Sequence, residues 1–174
     1  SCAASGDFVS IDNNLVTNCS YPTATSGSLY GIYMSGSPTF FLDSANVVSN
    51  NTKAGSSGTT YWFEVAAGAS RVVDNEIYNN DRTAASGSVY MFYCTGNTEL
   101  YAARNKVHDN TASATSGTSG TTFYVFYVTG STVADTIIDN EIYNIDIGGS
   151  TSSTSNTIYT FYHTSSSTSS KYVK

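Results

Sequence analysis

Asn75-Glu76-Ile77-Tyr78-Asn79 recurs almost letter for letter as Asn140-Glu141-Ile142-Tyr143-Asn144. Relaxed to Asn-x-(Ile/Val)-x-(Asn/Asp), it appears three more times: Asn14-Leu15-Val16-Thr17-Asn18, Asn46-Val47-Val48-Ser49-Asn50 and Asn105-Lys106-Val107-His108-Asp109. The leading residues Asn14, Asn46, Asn75, Asn105 and Asn140 are separated by steps of 32, 29, 30 and 35 residues. A period in that range is the signature of a stacked repeat architecture.

A second element keeps the same period. It reads Tyr30-Gly31-Ile32-Tyr33-Met34, Tyr61-Trp62-Phe63-Glu64-Val65, Tyr90-Met91-Phe92-Tyr93-Cys94, Tyr124-Val125-Phe126-Tyr127-Val128 and Tyr159-Thr160-Phe161-Tyr162-His163. A third strand-like segment precedes each later Asn motif, at 39–43, 70–73, 99–102 and 133–138. The pattern predicts about three short strands per repeat, joined by corners, with no helical periodicity. Alternation along a strand puts Asn, Ile/Val and Asn on one face of the Asn motif. Applied to the aromatic motif, it predicts an inward column of Tyr30, Tyr61, Tyr90, Tyr124 and Tyr159. Beside it would run Ile32, Phe63, Phe92, Phe126 and Phe161, then Met34, Val65, Cys94, Val128 and His163. A stacked Asn can bond its amide to the rungs above and below, which satisfies polar groups otherwise stranded in the interior.

These segments resemble the right-handed parallel β-helix repeat of the pectate-lyase-like superfamily, and the match covers nearly the whole chain from Asp7 to Thr164. The resemblance implies an all-β solenoid of about five coils forming a single domain over 1–174. Residues 1–6 read as a lead-in and 165–174 as a polar tail. Such coils carry lyases, hydrolases, adhesins and phage spikes alike, so fold alone does not give activity.

Composition narrows the function. The formal net charge is −6 and charged residues make up 11% of the chain, which disfavours nucleic acid, whose binding needs basic stripes. Ser and Thr supply about 30% of the residues, alongside 14 Tyr and 8 Phe; the aromatics argue for a folded chain rather than a polar disordered tract. No run of about 18 apolar residues is present, so no membrane span is expected. The chain opens at Ser1 without Met or an apolar leader and reads as a processed product or an excerpt. Three cysteines, Cys2, Cys19 and Cys94, form no metal-ligand spacing. Cys2 with Cys19 is the preferred disulfide, with free thiols as the alternative. The overall balance suggests an extracellular or cell-surface protein.

Candidate chemistry is sparse. The resemblance implies clustered Asp with Ca²⁺ and a Lys or Arg base in the superfamily's enzymes. Here Arg104 and Lys106 align instead with Asp74 and Glu76 on one side and Asp139 and Glu141 on the other. Opposite charges on adjacent rungs read as a surface ion ladder. His108 and His163 lack a nucleophile with an evident orienting partner, so no catalytic residue and no cofactor is assigned. The turns Asn79-Asn80-Asp81 and Asp109-Asn110 could hold Ca²⁺, although Asn and Asp are also ordinary turn residues. Tyr33, Tyr93, Tyr127 and Tyr162 are predicted to form an outward column interrupted by Glu64, with Trp62, Met91 and Val125 beside it; this apolar face would suit a partner subunit first, a covering loop second and sugar rings third. Asn18-Cys19-Ser20 and Asn50-Asn51-Thr52 match the N-glycosylation acceptor. Asn18 and Asn50 repeat at a corner, and the reading favours inward ladder roles for both. The Ser/Thr-rich loops suit O-linked sugars. Raw strand edges at the ends of a stack recruit further strands. The leading expectation is therefore a secreted structural subunit that self-associates end to end into a filament, sheath or adhesin stalk. The alternative is a polysaccharide-binding or polysaccharide-cleaving module.

Overall fold

The computed structural model describes residues 2–4, 8–24, 27–36, 38–55, 57–66, 68–84, 86–114, 120–130, 133–148, 156–164 and 170–174, without the side chains of 2–4, 23–24, 114 and 170–172. Every element among them is a β-strand, and the strands form three parallel sheets. The aromatic sheet contains β1 (Cys2–Ala4), β5 (Leu29–Gly36), β9 (Thr60–Ala66), β13 (Gly87–Thr95), β16 (Thr121–Thr129) and β19 (Thr157–Thr164), in that spatial order. A second sheet stacks β2 (Phe8–Asp12), β6 (Phe40–Ser44), β10 (Ala69–Val73), β14 (Glu99–Ala103), β17 (Ala134–Ile138) and β20 (Ser170–Val173).

The third sheet carries the Asn motifs. It holds β3 (Leu15–Thr17), β7 (Val47–Ser49), β11 (Glu76–Tyr78), β15 (Lys106–Ala114) and β18 (Glu141–Asp146). Beyond a corner it continues with β4 (Ser20–Ala24), β8 (Thr52–Gly55) and β12 (Asp81–Ala84). The chain visits the sheets in rotation, so each strand pairs with the strand one repeat away. Ile77 lies beside Val107, and Phe92 beside Phe126 with ring centroids 4.8 Å apart. The result is a parallel β-solenoid of about four turns. Five Asn motifs suggested five coils, but five passes of one sheet enclose only four turns between them. Ser170–Val173, read from the sequence as part of a polar tail, pairs with β17.

Two left-handed corners recur in each coil. One column of positive-φ residues is Asn13, Ala45, Asp74, Arg104 and Asp139; the other is Asn18, Asn50, Asn79, Asp109 and Asn144. Each immediately precedes a position of an inward ladder. An L-residue in that region costs roughly 1–2 kcal/mol unless it is Gly, Asn or Asp, so Ala45 at φ 51° is a poor fit. Ala45→Gly is expected to raise stability by about 0.5 kcal/mol, after allowing for the extra freedom that Gly gives the unfolded chain. Urea unfolding checks this, and a lower midpoint for the variant contradicts it.

The interior is filled by columns. Phe41, Trp62, Phe63, Phe92, Phe123 and Phe126 are among the largest fully buried side chains. The first Asn ladder runs as predicted. Asn14, Asn46, Asn75 and Asn105 each donate Nδ2 to the Oδ1 of the next rung's Asn, at 2.9, 3.3, 3.1 and 2.9 Å. The same Oδ1 accepts the backbone N–H of the preceding rung's Asn, at 2.8–3.1 Å.

Candidate functional site

The aromatic sheet departs from strict alternation at one place, and this reorganises the outer surface. Cross-rung registers skip Gly31, Trp62, Met91, Val125 and Thr160. At that kink two consecutive residues turn inward. Trp62 and Phe63 are both buried, as are Met91 with Phe92 and Val125 with Phe126. Trp62, expected on the exterior as an interface or sugar-stacking residue, is therefore a core residue, 2% exposed. Gly31 occupies this position in its rung, and a Cβ there would lie 2.5 Å from the Trp62 carbonyl oxygen.

The kink sends the tyrosines on both sides of it outward. Tyr30, Tyr61, Tyr90, Tyr124 and Tyr159, expected in the core, instead form an outer ladder with centroid spacings of 5.0, 5.1, 4.8 and 5.1 Å and nearly parallel rings. Tyr93, Tyr127 and Tyr162 form a second stack at 5.1 and 5.0 Å. Tyr33 continues that column beyond Glu64. Edge-on contacts knit the two ladders, as between Tyr90 and Tyr93 at 4.8 Å and Tyr124 and Tyr127 at 5.1 Å. Offset-stacked and edge-to-face pairs at these distances are each worth about 0.5–1.5 kcal/mol beyond area burial.

Because the rings lie face on face, each covers the broad face of its neighbour along the ladder. Broad ring faces are open only at its ends, where Tyr30 is 43% and Tyr159 38% exposed. Burial raises the phenol pKa of Tyr61, Tyr93 and Tyr124, and pushes Tyr90 up to about 12. Glu64 interrupts the second ladder, and burial raises its carboxyl too.

The Asn-motif sheet carries the charges. Arg104 grips Asp74 with two bonds of 2.7 Å, and Lys106 lies 3.5 Å from Glu141. These are the predicted rung-to-rung pairs. Asp74, Asn75, Glu76, Arg104 and Lys106 line an open depression of about 280 Å³. His108 stacks between Tyr78 and Tyr143 at 5.2 and 4.7 Å. Burial opposes its proton, but hydrogen bonds to Asp109 at 2.7 Å and Glu76 at 3.0 Å outweigh that and raise its pKa. Arg104 and Lys106 are each engaged with a single carboxylate one rung away, and His108 is held between Asp109 on its own rung and Glu76 on the next. His163 faces inward at the last rung, as predicted, and its Nε2 lies 2.6 Å from Asp135 Oδ2.

Asn79, Asn80, Asp81, Asp109 and Thr111 line a second depression of about 350 Å³. Its oxygens are already committed. Asp81 accepts Thr111 and Thr83 hydroxyls at 2.6 and 3.2 Å, and Asn80 points into the interior. Among the described residues no three His, Cys, Asp or Glu side chains form a metal-binding group. Cys19 is an exposed free thiol whose Sγ lies 3.7 Å from the Thr17 carbonyl. Its expected partner side chain, Cys2, lies outside those described. Most of the Ser/Thr-rich loop tips do too.

Comparison with models of protein families, with curated proteins and with solved structures found no match to this chain. Its reading therefore rests on the solenoid itself.

Three interior features were not read from the sequence. A second Asn ladder runs one residue beyond the expected corner. Asn51 and Asn80 donate Nδ2 to the next rung's Oδ1 at 2.9 and 3.0 Å, ending on Asn110. Asn18 and Asn50, expected to point inward, are exposed corner residues instead. The signal was present: a left-handed residue takes up the corner, so the residue after it resumes the inward phase.

Next, Lys53 and Arg82 are fully buried on adjacent rungs. Lys53 Nζ donates to the Gly27 and Thr59 carbonyls at 3.0 Å each. Arg82 donates to the Gly58 and Ser86 carbonyls. Both hold loop backbones against the stack. Burial, then the neighbouring Arg82 charge, lowers Lys53 to about 8.

Finally, Asp43 is fully buried, accepts a bond from Asn46 Nδ2, and has its carboxyl pushed up to about 8 by burial. Its folded pKa lies above the unfolded value near 3.9. Its contribution is thus fully present below about pH 4 and lost as pH rises through about 8. Thermal midpoints are expected to fall between those limits because of Asp43, and Asp43→Asn should flatten that fall. An unchanged slope in the variant would show that Asp43 is already ionised in the fold.

Proposed function

We infer that this chain is a non-enzymatic, secreted structural protein of the pectate-lyase-like kind. Its solenoid stacks end to end into an extracellular filament, sheath or adhesin stalk, with sugars on the projecting Ser/Thr loops. The observation that carries this reading is where the large apolar side chains are exposed. Phe8, Leu15 and Tyr21 lie on the first strands of their sheets and Tyr30 on β5, which only the short β1 overlies at Met34–Gly36; Tyr143, Ile158, Tyr159, Phe161 and Val173 lie on the last strands, and Val133, beside β17, is the exception. Between these rungs the same columns are covered by their neighbours. Among the described residues, nothing pairs with the outer edges of β2, β3 and β4 at one end, or of β18, β19 and β20 at the other.

Each end repeats the sheets of the other, so the natural cover for Tyr159 and Phe161 is the first rung of a second copy, where Tyr30 is exposed. Docking would extend both tyrosine ladders and pair the open backbone edges. Such a contact is heterologous and does not close, so it propagates. The polysaccharide reading has less support, because ring faces are hidden along the ladder and Asp74, Glu76 and Glu141 are paired with Arg104, His108 and Lys106. Light scattering across a concentration series is the test. The mean mass is expected to climb with concentration; a sharp monomer throughout overturns the reading.

A further inference from the structure

We propose that Asn18 and Asn50 are acceptors for N-linked oligosaccharide, placed side by side on one corner of the solenoid. The inference rests on the reading that the chain passes through a secretory compartment. Both sequons are intact, as Asn18-Cys19-Ser20 and Asn50-Asn51-Thr52. The geometry supplies the remainder. Asn18 and Asn50 sit at the same exposed left-handed corner of successive rungs, at φ 57° and 54°.

The neighbouring Asn51 turns into the interior ladder, which leaves the corner amides as the outward ones. Asn50 Nδ2 makes only long contacts, 3.5 Å to Thr17 Oγ1 and 3.3 Å to Ser49 Oγ. The hydroxyls that complete the sequons, on Ser20 and Thr52, are exposed too and lie 3.1 Å from each other.

The same corner on later rungs provides internal controls. Asn79 and Asn144 are equally exposed and have the same backbone conformation, but Asp81 and Asp146 stand where the hydroxyl would be. At the remaining rung Thr111 supplies the hydroxyl, but Asp109 replaces the acceptor. Complete acceptors thus occur only on the first two rungs of this column.

In the transfer step the asparagine amide nitrogen attacks C1 of a lipid-pyrophosphate-linked oligosaccharide. An N–C1 bond forms, the C1–O bond to pyrophosphate breaks, the lipid pyrophosphate leaves with that electron pair, and the amide proton passes to a base of the transferase. Adjacent parallel strands lie roughly 4.8 Å apart, so the two glycans would project radially as neighbours. They would clothe one corner of the first two rungs.

The test expresses the full chain behind a cleavable secretory leader in a glycosylating eukaryotic host. Enzymatic removal of N-glycans in heavy-oxygen water marks each occupied site as a labelled Asp. Label at positions 18 and 50, and none at 79 or 144, is the expected result. Ser20→Ala and Thr52→Ala, which keep the corner Asn and its backbone, should each remove one oligosaccharide, and together both. Asp81→Thr should add a third, at Asn79. Absence of label at either position 18 or 50 in the secreted protein overturns the assignment. The leader makes this readout independent of the native export route, and light scattering of the deglycosylated protein reports assembly separately.

Discussion

Asn75→Ala is expected to lower stability by about 3–5 kcal/mol, among the largest losses a single substitution in this chain can produce. Asn75 Oδ1 accepts the backbone N–H and the side-chain amide of Asn46 at 2.9 and 3.3 Å. Its Nδ2 donates to Asp43 O at 3.0 Å and to Asn105 Oδ1 at 3.1 Å. Truncation leaves the Asn46 N–H and the Asp43 carbonyl without this partner, deep in the stack. Each buried group so orphaned costs about 1–3 kcal/mol. The position before it, Asp74, is left-handed at φ 58°, so the corner has little freedom to reseal. Asn14 has the same role but is exposed at the first rung, where water replaces the lost bonds, and Asn14→Ala should cost less than about 1 kcal/mol. Urea denaturation of the pair measures the difference. Equal costs would mean that water replaces the ladder bonds of Asn75 as readily as those of Asn14.

Phe161→Lys and Tyr30→Lys are each expected to abolish growth of the assembly while leaving the fold intact. Phe161 stacks on Phe126 at 5.4 Å on one face and is 38% exposed on the other. A lysine there can reach water in the single subunit but would be trapped against apolar side chains once a second copy docks. An unpaired buried charge costs several kcal/mol, enough to weaken each junction by a thousandfold or more. Tyr30 is exposed near the opposite end of the stack, on β5, with only the short β1 outside it. The two variants should therefore be monomeric alone yet form a dimer, and nothing larger, when mixed, because one intact end remains on each. Sedimentation velocity of the mixture reads this directly. Higher oligomers from either variant alone would mean that assembly uses the sides of the solenoid instead.

Most of the architecture was legible in the sequence because solenoid geometry is local and repeated. A column of like residues at one spacing can have only a stacked explanation, so the Asn14–Asn140 ladder and the Phe92–Phe126 contact followed from spacing alone. What the sequence hid lay at two breaks of period. At the kink in the aromatic strands a residue is skipped, which moved Trp62 inside and turned Tyr61 and Tyr90 outside. At the Asn18 corner a left-handed residue shifts the phase by one, which exchanged the expected roles of Asn50 and Asn51. Strict alternation cannot see either, since at the corner one residue turns left-handed and at the kink two consecutive side chains face the interior. Lys53 and Arg82 were missed for another reason. Their charges are satisfied by carbonyls of loops that carry no matching acid, so no charge pattern announces them.

The ionic groups show the reverse case. Arg104 and Lys106 were legible as rung partners because pairing between adjacent strands depends only on register, and register was already given by the Asn motifs. Their bonds are surface bonds, with side chains 55% and 49% exposed, and belong among the contacts that contribute little to stability. They leave the stacked columns as the main source of cohesion.

In the proposed assembly the axis along which the side chains stack is also the axis along which subunits join. X-ray diffraction from an oriented gel or dried fibre of the purified protein tests it most directly. Strands run across the solenoid, so the account predicts a meridional reflection at about 4.8 Å, parallel to the fibre axis. A fibre showing that spacing on the equator, or protein that yields no orientable assembly at any concentration, would contradict it.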